Sequence, residues 1–209
     1  MPTLSPEIYE IKVAGEIFRL PIVPLDENTA IAHLIVINMG IRFCELVGKA
    51  MAQRFAPLRP EIVVGSATLG IPVAIEVSRH LGLDRYVILQ KSPKFSLADA
   101  LSEEVTSITT PLPQRLLLDR KSIAVIQGKR VLVVDDVVAS GSSIAAAIRL
   151  VRRAGAHVVA AGVILTEGHA WRAALGEDAK LIEGLDHIPQ FNVLDSVATP
   201  IPETEAEPP

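Results

Sequence analysis

Asp135 and Asp136 follow the apolar run Val131-Leu132-Val133-Val134 and precede Val137-Val138-Ala139-Ser140-Gly141-Ser142-Ser143. Four apolar residues ending in two carboxylates suit a buried strand of a parallel sheet, covered on both faces. Ile144 to Val151 then reads as a helix, so the order is strand, polar turn, helix. Ser140 to Ser143 fall where that helix begins, and there backbone N–H groups and hydroxyls can converge on one phosphate. The acidic pair falls at the carboxyl end of the strand, the edge at which open α/β sheets bind ligands. Carboxylates repel phosphate but suit the hydroxyls of an attached sugar, or a divalent ion. The chemistry implied is a sugar phosphate held at both ends. The plainer alternative is a strand–turn–helix with a serine cap and a solvated acidic pair.

The same grammar occurs at Glu61 to Ala74, with the loop Ser66-Ala67-Thr68-Leu69-Gly70 between an apolar strand and a helix expected from about Ile71 to Leu81. Gly65 and Gly70 permit close approach of another group to the backbone. Arg85 to Gln90 reads as a third strand, followed at once by Lys91-Ser92-Pro93-Lys94. Lysine is a suitable point charge for phosphate, although isolated lysines are usually solvated surface. From Ser92 to Pro113 periodicity is weak and Ser and Thr are frequent. Structureless stretches of this length are uncommon in compact domains and often act as lids.

Residues 131–143 resemble the phosphoribosyl-pyrophosphate (PRPP) binding motif of type I phosphoribosyltransferases, nearest to the adenine branch, and the resemblance spans roughly Glu61 to Leu165. It implies an α/β fold, a mainly parallel twisted sheet flanked by helices, with a small hood from the terminal segments. Asp135 and Asp136 would contact the ribose hydroxyls and stabilise the cationic sugar. Ala139, Ser140, Gly141, Ser142 and Ser143 would wrap the 5'-phosphate. Ser66, Ala67, Thr68, Leu69 and Gly70, with Lys91 and Lys94, would receive pyrophosphate. A flexible loop at about 92–114 would exclude water from an oxocarbenium-like transition state. Four departures stand out. Ser140, Ser142 and Ser143 replace the usual Thr and Gly; Leu69 stands where adenine-specific relatives carry Arg; and Gln90 replaces a common Arg. Ser107-Ile108-Thr109-Thr110 lacks the Glu-Tyr pair of adenine enzymes, and Glu103 and Glu104 do not align with it.

The activity so implied is transfer of 5-phosphoribosyl from PRPP to a purine base, giving a nucleoside 5'-monophosphate and pyrophosphate. Mg2+ would be held mainly by PRPP and water, with Asp135 and Asp136 as further ligands. Hypoxanthine–guanine members generally carry an acid where this chain has Ala139, so adenine is favoured and xanthine is the neighbouring alternative. A PRPP-binding regulatory protein with little catalysis and a pyrimidine transferase such as an orotate enzyme are the competing readings. Base recognition would belong to the hood, expected within about 1–28 and 167–198 of a single domain spanning 1–198. Phe18, Trp171 and Phe191 are candidates for base stacking or for core packing. A homodimer is expected.

Composition agrees with a globular enzyme. The 209 residues are enough for one domain with a substantial core, 49% hydrophobic but only 4% aromatic, so that core must be mainly aliphatic. A formal charge of −4 argues against nucleic-acid binding. Cys44 is the single cysteine, which excludes an intrachain disulfide and fits a cytoplasmic protein. Cys44 itself is expected to be a buried small apolar residue. No signal peptide is read at the N-terminus. The segment Thr29 to Phe55 carries His33, Asn38, Arg42 and Glu45, too polar for a membrane span. It is expected to be an amphipathic helix capped by Asn28 or Thr29 and ended by Pro57. Val158 to Leu165 reads as a further buried strand, and Lys180-Leu181-Ile182 as a short hood strand. Residues 199–209, rich in Pro and Glu, are expected to be disordered. The five histidines show no metal-ligand spacing.

Overall fold

The computed structural model describes residues 4–92, 99–105 and 114–205. The chain opens with strands β1 (Ile8–Val13), β2 (Glu16–Pro24) and β3 (Thr29–Ala32), followed by a one-turn helix α1 (Val36–Met39) and the long helix α2 (Ile41–Phe55). Next come β4 (Ile62–Ser66), α3 (Gly70–His80), β5 (Tyr86–Leu89), β6 (Leu101–Val105), β7 (Gln114–Leu118) and α4 (Arg120–Ile126). The remainder is β8 (Arg130–Val138), α5 (Ser142–Arg153), β9 (His157–Glu167), α6 (Ala170–Leu175), β10 (Ile182–Ile188), β11 (Gln190–Leu194) and β12 (Val197–Pro200).

Two five-stranded sheets divide these strands. The first has the order β10-β9-β8-β4-β5 and is parallel throughout. Its central strands are apolar without alternation because both faces are covered: all five residues of β4 are buried, as are Val131 to Val134. Leu132 and Val134 pack with Val73 and Val77 of α3 and with Phe43, Val47 and Met51 of α2. Val131 and Val133 pack with Ile144, Ile148 and Val151 of α5. The second sheet, β1-β2-β3-β11-β12, is the hood built from the terminal segments. Ser5 N–H donates to Ser196 O (2.9 Å) and Ala198 N–H to Ser5 O (2.8 Å), so the segment leading into β1 covers the free edge of β12. No helix among the described residues is long and apolar enough to cross a membrane.

Four expectations change. The helix expected from Thr29 begins at Ile41; the Thr29 amide is held by the Asp26 carboxylate (2.8 Å), and burial alternates from Thr29 to Val36, the period of a strand. The stretch 92–114 is not structureless throughout, because β6 pairs antiparallel with β7. Glu103 joins that ribbon to α5 through Arg149 (2.7 Å) and Arg153 (2.5 Å). Ile182 opens β10, which extends the parallel sheet beside β9 rather than the hood. Residues 199–205 are ordered: Thr204 is buried, accepting from Gln190 N–H (3.0 Å) and donating to Ile201 O (2.7 Å).

Candidate active site

The ligand edge of the parallel sheet gathers three loops. β8 does not stop at the acidic pair but runs through it to Val138, so Asp135 and Asp136 are strand residues of fixed direction. Asp135 is buried, and its Oδ1 accepts from the Asp136 N–H (3.1 Å). Burial pushes the Asp135 carboxyl up to about 8, the Asp136 charge adds to the rise, and Lys91 pulls the other way. Lys91 follows Gln90, which bridges to Leu117 of β7, and its charge is felt at Asp135. Lys94 lies outside the described residues.

Gly70 opens α3 directly against this carboxyl. A Cβ there would come within 2.9 Å of Asp135 Oδ1 and 3.4 Å of Val134 O, so only glycine lets the two ligand loops approach so closely. Ser66 ends β4 with its hydroxyl buried and without a hydrogen-bond partner among the described residues. Ala67 N–H donates to Leu89 O (2.8 Å), which leaves Thr68 to Gly70 as the donors this loop can offer. The Ala67–Thr68 peptide is cis. Leu69, half-buried, packs against the core and brings no charge.

The third loop is Ala139 to Gly141, with Ser142 the first residue of α5. Gly141 has φ +80°, and a Cβ there would lie 3.0 Å from Trp171 Cα and O. Trp171 is buried beneath the loop, its indole N–H donating to Gly168 O (3.0 Å). Ser140 Oγ and Ser142 Oγ are 2.7 Å apart. A cleft of ≈ 150 Å³ is lined by Val137, Val138, Ala139, Ser140, Gly141, Ser143 and Ile144. Neither α3 nor α5 has a side-chain cap, whereas α4 has Asp119 accepting from Lys121 N–H (3.0 Å). Ser142 N–H donates to Ser140 Oγ (3.4 Å) and Ile71 N–H to Thr68 O (3.2 Å), but neither start is closed by a cap residue, and the two helix dipoles favour anions there. Two anion-accepting ends with a buried carboxyl between them match a sugar carrying a phosphate on each side.

Of the aromatic candidates, Trp171 and Phe191 are core residues; Phe18 packs edge-on against Phe43 (4.8 Å). Cys44 is half-buried beneath α1. Reading the sequence passed over Glu167, which ends β9 at this same edge and is buried beside Gln190 of the hood. Its signal was an acid closing an otherwise apolar strand, the pattern already visible at Asp135.

Residues 39–193 match the family model for the phosphoribosyl transferase domain. A xanthine phosphoribosyltransferase of Laribacter hongkongensis is 30% identical over 132 residues, 63% of this chain and 68% of the relative. One from Exiguobacterium is 32% identical over 140 residues, 66% of this chain and 68% of the relative. Among solved structures, adenine phosphoribosyltransferase of Thermoanaerobacter pseudethanolicus superposes with a TM-score of 0.62 at 19% identity, covering 88% of this chain and 98% of that one. The Giardia lamblia adenine enzyme, solved with 9-deazaadenine, gives 0.63 at 18% identity over 87% of this chain and 93% of that one.

Proposed function

The chain belongs to the type I phosphoribosyltransferase family, and on that premise we propose that it transfers the 5-phosphoribosyl group of PRPP to a purine base, with adenine favoured. The observation that carries this reading is the convergence at one sheet edge of an acidic pair, Asp135 buried and Asp136 half-buried, and two uncapped helix starts, at Gly70 and Ser142. The α5 start, with the hydroxyls of Ser140, Ser142 and Ser143, takes the 5'-phosphate. Thr68 to Gly70, with Lys91 and Lys94, takes the pyrophosphate.

In the reaction a purine ring nitrogen gives its lone pair to C1 of the ribose, and the C1–O bond to pyrophosphate breaks with its electron pair leaving on the pyrophosphate oxygen. The proton of the attacking nitrogen is released. Asp136 and Asp135 orient the ribose hydroxyls, and the Asp136 charge stabilises the cation that develops on the sugar ring. Burial of Asp135 fixes that orientation before substrate arrives, which lowers the entropic part of the barrier.

No group of three or more His, Cys, Asp or Glu residues among the described residues could hold a metal alone. Two carboxylates are nonetheless hard oxygen donors of the kind magnesium takes alongside phosphate and water, so the residues fit that ion. When bound, it would neutralise charge on the leaving pyrophosphate. The protein is proposed to act in the cytoplasm as a homodimer.

The uncharged Leu69 favours a second reading, a PRPP-binding regulatory protein, because the pyrophosphate loop has lost a cation. Magnesium-dependent pyrophosphate release from PRPP, with adenine, hypoxanthine, guanine, xanthine, orotate and uracil offered separately, tests both. Release with a purine establishes the transferase and names its acceptor. PRPP binding with no release on any of the six supports the regulatory reading instead.

A further inference from the structure

From the position and partners of Glu167 we infer that this residue, steadied by Gln190, reads the base and selects a purine bearing an exocyclic amino group. The inference rests on the transferase reading above and deepens it.

Register places Glu167 beside the reaction centre. β8 and β9 run parallel with Val137 opposite Leu165 and Val138 opposite Thr166, so Glu167 lies one residue beyond the last paired position, next to the start of the loop at Ala139. Ala139 contributes only a methyl group. The neighbouring strand supplies the carboxyl instead, at the ligand edge of the sheet. On its other side Glu167 pairs with Ile188 of β10.

Glu167 also meets the hood. Gln190, the first residue of β11, donates from Nε2 to Glu167 Oε1 (3.3 Å). Gln190 is itself fixed, its N–H donating to Thr204 Oγ1. Beside it, His187 Nε2 donates to Thr204 O (2.7 Å), since a carbonyl can only accept, and His187 Nδ1 shares a hydrogen bond with the Thr166 hydroxyl (2.8 Å). Core sheet and hood are therefore joined around this acid by a run of hydrogen bonds.

The chemistry of the acid points to a ligand. Glu167 is only 6% exposed, and among the described residues one long hydrogen bond from a neutral amide is all its carboxyl receives. A carboxyl so buried and so thinly paired is costly to keep. Burial accordingly pushes it above the usual carboxylate range, with Gln190 and His187 opposing the rise. Perturbed acids of this kind, at the ligand edge of a sheet, are characteristic of functional sites. Oε2 has no hydrogen-bond partner among the described residues. When the acid is ionised, Oε2 is an acceptor that an amino N–H of the base can satisfy, whereas the carbonyl of an oxo-only purine would face it lone pair to lone pair. A site built to hydrogen-bond one group rejects analogues that lack it, because its own buried polar atom is then left unpaired.

Steady-state pyrophosphate release from PRPP, measured with adenine, guanine, hypoxanthine and xanthine, tests this with wild type, Glu167→Gln and Gln190→Met. Wild type should prefer an amino base at least tenfold in kcat/KM. Glu167→Gln should reduce that preference at least tenfold, chiefly by raising KM for the base, with KM for PRPP within twofold. Gln190→Met, which leaves the acid in place but unsteadied, should shift the preference the same way by a smaller factor, and it decides the matter should Glu167→Gln fail to fold. A wild-type preference for xanthine or hypoxanthine overturns the inference, as does an amino preference unaltered in the variants; in both cases the transferase reading survives. Release with no base at all would instead overturn that reading.

Discussion

At the scale of single residues, the site is decided by where burial meets charge. Asp136→Asn should lower turnover at least tenfold while leaving the circular dichroism spectrum unchanged and the melting temperature no lower than that of wild type; near-normal kinetics would refute the role given to it. Asp135 makes a different prediction. Its carboxyl is raised in the folded protein from 3.8 to about 8, mainly by desolvation, so the native state holds a proton that the unfolded chain releases. Stability contributed by this group is therefore full below about pH 4 and is lost as pH rises toward 8. Asp135→Asn removes that dependence. In urea titrations without substrate, the variant should gain on wild type between pH 5 and pH 8.5 by about 1 kcal/mol or more. A constant difference across that range would show that Asp135 ionises freely. The same substitution should abolish transfer, which makes the acid a residue kept for function at a cost in stability.

At the scale of elements, the start of α5 is the most constrained piece of backbone in the site. Gly141 has φ +80° and lies against the backbone of Trp171. Gly141→Ala should cost about 1–2 kcal/mol from the left-handed conformation alone and more from the contact at 3.0 Å. A thermal melt together with KM for PRPP checks this: KM should rise at least tenfold as the loop shifts, and an unchanged KM would remove the loop from the 5'-phosphate site. This element was legible because each of its signals is local. Val131 to Val134, the acidic pair and the serines stand in one continuous stretch, and periodicity places the helix that follows. Segments whose structure depends on distant partners were not. Thr29 to Ala32 is a strand because β2 and β11 flank it and Asp26 holds its first amide. Leu101 to Val105 gains its order from β7 and from the ion pairs of Glu103 with α5. In each case part of the support, β11 for the first and α5 for the second, is remote in sequence, so apolar spacing alone could not choose between helix, strand and loop. Glu167 was missed for a related reason: only the register of β9 against β8 brings it to the site.

At the scale of the whole molecule, the hood is tied to the parallel sheet by residues from both ends of the chain. Lys12 N–H donates to Asp186 Oδ2 (2.7 Å), joining β1 to β10, and Ser5 bridges to β12. Thr204, in the segment expected to be disordered, adds a further tie between β10 and β11. Its hydroxyl accepts from the Gln190 N–H and its carbonyl from His187 Nε2. Truncation after Pro200 would leave both donors in a partly buried setting with nothing to accept them. Each orphaned group costs about 1–3 kcal/mol, so the truncated protein should melt several degrees lower than the full chain. Thr204→Val separates the two ties, since it removes the hydroxyl and keeps the carbonyl; it should show roughly half the loss. The kinetic consequence follows the same path. Gln190 steadies Glu167, while the phosphate loops at Gly70 and Gly141 depend on α3, α5 and Trp171 and not on the C-terminal segment. Truncation should therefore raise KM for the base and leave KM for PRPP within twofold. Equal weakening of both substrates would mean that the two sheets move as one body and that the terminal segment stabilises the whole fold rather than the base side of the site.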